Sequence, residues 1–146
     1  MEWMLLPLKR YADFSGRSRR MEYWMFTLFN VLVVAGLAIV LGAIGYATGS
    51  FQGSTPPVFF MIVLGIVALG YMAVFLVPSI AVVVRRLHDR DMSGWWYLGI
   101  IVASMIPIVG TLASIALLVL MVLPGTPGPN RFGPDPKDPA NAAVFA

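Results

Sequence analysis

Between Glu22 and Arg85 lie 62 residues without a single Asp, Glu, Lys or Arg, and between Asp91 and Arg131 a further 39. A chain of 146 residues cannot build a soluble core large enough to hide two such stretches. Crossing the hydrocarbon core of a bilayer takes about 20 apolar residues in a helix, so both stretches have room for spans. The charged fraction is 12%, about half that of an ordinary soluble domain. The chain therefore reads as an all-α integral membrane protein.

The placement of the charges predicts an orientation. Six of the ten basic residues flank apolar runs in two groups, Arg17, Arg19, Arg20 and Arg85, Arg86, Arg90. Cytoplasmic loops carry such an excess, so the basic groups are expected to face the cytoplasm and anionic lipid rather than nucleic acid. The N-terminus is expected on that side too. With no cysteine and one histidine, thiolate nucleophiles, disulfides and Cys/His metal cages are excluded. No metal or other cofactor is expected. The first apolar run is about 25 residues, longer than the roughly 7–15 of a signal peptide, and is expected to remain as a span.

Three spans are predicted, at about 23–47, 58–84 and 95–123, in a single multi-pass domain over 1–138. Met4, Leu8 and Tyr11 recur at helical spacing in the polar head, which suggests a short interfacial helix. In the first span, Ala35, Ala38, Gly42, Gly45 and Gly49 form a stripe of small residues. Ala38, Gly42, Gly45 and Gly49 are its candidate helix-packing positions, for another span, a second copy or another membrane protein. Residues 48–57 are an uncharged outer loop and 85–94 a short polar connection. Pro78 is expected to kink the second span. Pro107 and Gly110 interrupt the last run. It is read as one Pro-kinked span, because a turn at mid-depth would leave backbone groups unpaired; the alternative is a four-segment arrangement with a hairpin. Six prolines and three glycines between 124 and 146 predict an extended Pro/Gly-rich tail, mobile over 139–146.

Three polar strings stand out: FSGRSRRMEYW (14–24), RRLHDRDMSGWW (85–96) and PGTPGPNRFGPDP (124–136). In this order and separated by these spans, they resemble domain-of-unknown-function family 805, small bacterial inner-membrane proteins. The resemblance covers roughly residues 3–138. It implies a multi-pass protein of the bacterial inner (plasma) membrane, and it carries no catalytic residue to transfer.

On their own chemistry the strings suggest a surface rather than an active site. His88 beside Asp89 invites a metal or proton-relay reading, but a metal needs more ligands than this loop offers. Nothing in the sequence places Ser93 as an activated nucleophile. Asn30 is expected to join helices, and Phe132 to anchor the tail. The candidate headgroup or partner site is Arg17, Arg19, Arg20, Arg85, Arg86, His88, Asp89 and Arg90, jointly gripping an anionic phospholipid. The expected function is a non-enzymatic structural, interaction or lipid-binding protein. The alternative is an oligomeric transporter or channel component, which the thin mid-span polar inventory disfavours.

Overall fold

The computed structural model describes residues 2–53 and 57–138; the predicted mobile tail at 139–146 lies outside them. Among the described residues there are five helices, α1 (Glu2–Lys9), α2 (Arg20–Ala47), α3 (Val58–His88), α4 (Trp95–Ala103) and α5 (Pro107–Val122), and no strand. Two of them, α2 and α3, are long and apolar enough to cross a membrane, while α5 is a shorter apolar helix. Only 6% of the most apolar window of either long helix is buried inside the protein. A core helix of a soluble domain would be mostly buried. Here Ile39, Val40, Leu69 and Val74 face outward, as lipid-facing side chains must.

Lipid tails are as apolar as leucine, so packing and polar bonds rather than the hydrophobic effect join helices in a bilayer. Phe26, Phe75 and Val82 form one cluster, with Leu8, Tyr23 and Tyr71 against it. Tyr71 stacks on Phe75 at 4.8 Å. Beside that stack the Tyr71 hydroxyl donates to Asn30 Oδ1 at 2.9 Å. Asn30 therefore joins α2 to α3, the role its position suggested.

The N-terminal helix packs against α2 and α3 through Leu8, with Pro7 buried. Beyond its end, the Tyr11 hydroxyl donates to the Ala73 carbonyl, one residue from the carbonyl that Pro78 deprives of its helical partner. The head of the chain is thus wedged onto the bundle rather than lying on the bilayer surface alone.

The small-residue stripe divides. At Gly45 a side chain would collide with the rings of Phe51 and Phe60, so this glycine receives the loop after α2 and the start of α3. Gly49, at φ +69°, ends α2. There Ser50 N–H bonds to Gly45 O and Gly49 N–H to Tyr46 O, the pairing of a Schellman cap. Ala38 is exposed, and at Gly42 nothing lies within 4 Å of where a Cβ would stand.

Two expectations are corrected. The polar connection begins later than predicted, because α3 runs through Arg85 and Arg86 to His88. And the last apolar run is not one kinked helix but two, α4 and α5. Ile106 is extended, at φ −102° and ψ 116°, as a residue before proline tends to be, and Pro107 opens α5 at a position where it lacks no needed N–H. At Gly110 a Cβ would lie 2.8 Å from Ser104 Cα and O, so only glycine lets the two helices meet there. Several of the backbone groups at this turn find partners locally. Met105 N–H bonds to Val102 O, Ile106 N–H to Ala103 O and Gly110 N–H to Ile106 O. The Ser104 and Thr111 hydroxyls donate to the carbonyls of Ile101 and Pro107. The turn thus satisfies part of its own backbone. The chain then returns to where it started: Met121, near the end of α5, packs on Val83 and Leu87 near the end of α3.

Candidate functional site

The return of α5 brings all three polar strings to one end of the bundle, where they form a cap. Its centre is Asp89. Arg17 Nε donates to Asp89 Oδ1 at 3.0 Å, and Arg86 NH1 donates to Oδ2. A second pair lies beside it: Arg85 NH2 to Glu22 Oε1 at 2.7 Å, with Ser18 Oγ on the other carboxylate oxygen, also at 2.7 Å. Arg85, Arg86 and Glu22 are each 0% exposed.

Three guanidinium groups thus share two carboxylates, and backbone carbonyls take up the excess. Arg86 donates to Met121 O and Leu123 O, and Arg20 to Val122 O at 3.2 Å. These are the unsatisfied carbonyls at the C-terminal end of α5, which carries the negative end of its dipole. That helix has no glycine cap; arginines from α2 and α3 cap it instead. Arg85 donates to Asp13 O, and Arg17 to Thr126 O at 2.6 Å and to Gly128 O.

The tail is a strap laid over this cap. Thr126 N–H bonds to Asp89 O at 2.8 Å, Asn130 Nδ2 to His88 O at 2.8 Å, and Arg90 NH1 to Pro124 O at 2.7 Å. Gly125 sits directly on the Asp89 carboxylate, where a Cβ would lie 2.0 Å from Oδ2. A tight turn joined by the Asn130–Gly133 bridge presents Phe132, which stacks on His88 at 3.9 Å with the rings nearly parallel. Phe132 is therefore the anchor its setting suggested. Arg131 lies over its ring at 4.7 Å and pairs with Asp91 at 3.2 Å.

The predicted site residues fall into two groups. Arg17, Arg85, Arg86 and Asp89 are buried and bonded to one another's segments, so they do not form an open grip for a headgroup. Arg19, Arg20 and Arg90 lie at the rim, partly or fully exposed. His88 bonds through Nδ1 to Gly16 O at 3.2 Å. Both Asp89 oxygens are held by arginines, so Asp89 does not orient His88, and Ser93 Oγ accepts from Trp95 N–H. Among the described residues no three His, Asp or Glu side chains gather as a metal cage. Sequence reasoning missed Ser18, whose Oγ donates to Glu22, and Thr126, whose Oγ1 donates to the Asp89 carbonyl, a contact only the fold creates.

Two carboxylates outside the spans are tuned by the same local bonding. Slight burial works against ionisation of Asp13, but hydrogen bonds from Ser15 and Arg10 outweigh it and bring its pKa down to about 2. Asp135 is lowered chiefly by the Lys137 backbone N–H, against a small opposing effect of burial and with help from the Gly128 N–H.

Comparison with known proteins fits this architecture. The family model described as protein of unknown function DUF805 matches residues 11–134. Inner membrane protein YhaH of Escherichia coli K12 is 38% identical over 137 residues, covering 94% of this chain and 98% of its own. Inner membrane protein YhaI of the same strain is 38% identical over 141 residues, covering 97% and 100%. No solved structure is significantly similar. The chain belongs to the DUF805 family.

Proposed function

We propose that this DUF805 member is a non-catalytic scaffold of the inner membrane, seated with its polar cap on the cytoplasmic leaflet and holding anionic phospholipid at the rim of that cap. The observation that carries this reading is where the cap's ionisable groups go. Arg17, Arg85, Arg86, Glu22 and Asp89 bind chain to chain in a buried network, which supports a fastening role and leaves none of them poised for acid–base work. Outside the network, Arg19, Arg20, Arg90 and Lys137 ring the cap, where each cation near an anionic surface contributes about 1 kcal/mol. The same basic excess argues for a cytoplasmic N-terminus. A transporter component is disfavoured, since Asn30 of the first span is engaged by Tyr71.

Topology labelling tests the reading directly, because the chain has no cysteine. Single cysteines at Lys9, Gln52 and Asp138 are exposed to a membrane-impermeant maleimide in intact cells. Labelling at 52 with protection at 9 and 138 is expected. Labelling at 9 and 138 would place the cap outside and sink the proposal.

A further inference from the structure

A groove of about 530 Å³ opens at the cap's edge between the start of α2, the end of α5 and the strap. Arg19, Arg20 and Lys137 supply its cationic lining and Met21, Trp24, Met25 and Val122 its apolar lining, and no carboxylate lines it. We propose that this groove is a discrete site for one anionic glycerophospholipid, the phosphodiester held by Arg20 and Lys137 and the first part of an acyl chain lying on Trp24 and Met25. The inference rests on the cap facing anionic lipid, as argued above, and names where and by which residues.

Three features select that occupant. The first is charge: three cations converge with no acidic side chain in the lining. The neighbouring Asp135 already accepts from the Lys137 and Gly128 backbone N–H groups, so both its oxygens have partners apart from the Lys137 ammonium. Arg20 donates one bond, to Val122 O, and a guanidinium has five N–H donors. The second is polarity, which changes across the groove from cationic to apolar, as a phospholipid does between headgroup and chain. The third is depth: Trp24 lies one turn inside Arg20, where amphipathic rings mark the interface, and it is partly exposed together with Val122. The floor therefore continues into the lipid-facing surface. A soluble anion would use only the cationic residues.

The test titrates the purified full-length protein in detergent with phosphatidylglycerol or phosphatidylcholine and counts bound lipid by native mass spectrometry. Wild type is expected to bind its first phosphatidylglycerol about tenfold more tightly than phosphatidylcholine. Replacing Arg20→Ala with Lys137→Ala should weaken it about thirtyfold, and Lys137→Ala alone about fivefold. The single change is at an exposed position of the strap and keeps the test decisive if Arg20→Ala loosens the end of α5. Arg20→Lys with Lys137→Arg should keep the preference. Trp24→Ala should weaken both lipids. If wild type binds the two lipids alike, the anionic-lipid reading itself falls. If wild type prefers phosphatidylglycerol and the Lys137→Ala and double variants keep that preference, the groove is the wrong place. Displacement of the lipid by soluble glycerol phosphate at equal concentration would make this a soluble-anion site and overturn the proposal.

Discussion

Asp89 shows how much one side chain can decide. It is the shared counter-charge of Arg17 and Arg86, and breaking a buried pair by removing one partner leaves an uncompensated charge that costs about 3–5 kcal/mol. Asp89→Ala is therefore expected to lower the unfolding midpoint in detergent far more than Asp91→Ala, whose pair with Arg131 is exposed and is worth about 0–1 kcal/mol. Equal effects would refute the ranking. Asp13 makes a pH prediction. Its folded pKa, about 2, lies below its ordinary 3.8. The stabilisation it supplies is thus complete above its unfolded pKa and disappears as pH falls from 3.8 through about 2. Asp13→Asn should remove that component of acid sensitivity, read as a flatter stability profile over this window.

At the scale of elements, the glycines separate by what surrounds them. Gly36 faces open space, whereas Gly110 touches the Ser104 backbone. Alanine is the better helix former by up to about 1 kcal/mol, so Gly36→Ala should leave the protein as stable or more so. Gly110→Ala should destabilise it, by about 1–3 kcal/mol, the usual range for overpacking, because backbone cannot yield as a side-chain tip can. Thermal unfolding of the two variants tests the contrast, and a stabilising Gly110→Ala would mean that α4 and α5 do not meet at this turn. The hairpin also explains the end of α5. Its sequence has no cap of its own, and Arg20 and Arg86 supply one from other helices.

For the molecule as a whole, the cap couples three segments far apart in sequence. Ser18 N–H bonds to Arg85 O, and Thr126 N–H to Asp89 O. Hydrogen exchange should therefore find these two amides protected together, and Asp89→Ala should release both at once. Release of Thr126 with Ser18 unchanged would show the strap to be an independent attachment. Such coupling suits a membrane protein, in which the apolar bundle supplies little specificity and polar bonds at its end fix which helix lies beside which.

The sequence by itself determined the class, the α2 and α3 spans to within a few residues at most of their ends, and the family, because uncharged length and three ordered polar strings are local properties. The interhelical role of Asn30 and the anchoring by Phe132 were also legible, since a polar group in an apolar run and an aromatic among prolines each call for a partner. Whether Pro107 kinks or ends a helix was not legible. That depends on whether the two halves can pack, and the close approach of Gly110 to the Ser104 backbone that lets them exists only in the folded chain. The fate of the arginines was equally hidden. A basic cluster beside a span looks the same whether it faces lipid or is buried, and only the return of α5, which sets the Met121 and Leu123 carbonyls against Arg86, decides between them.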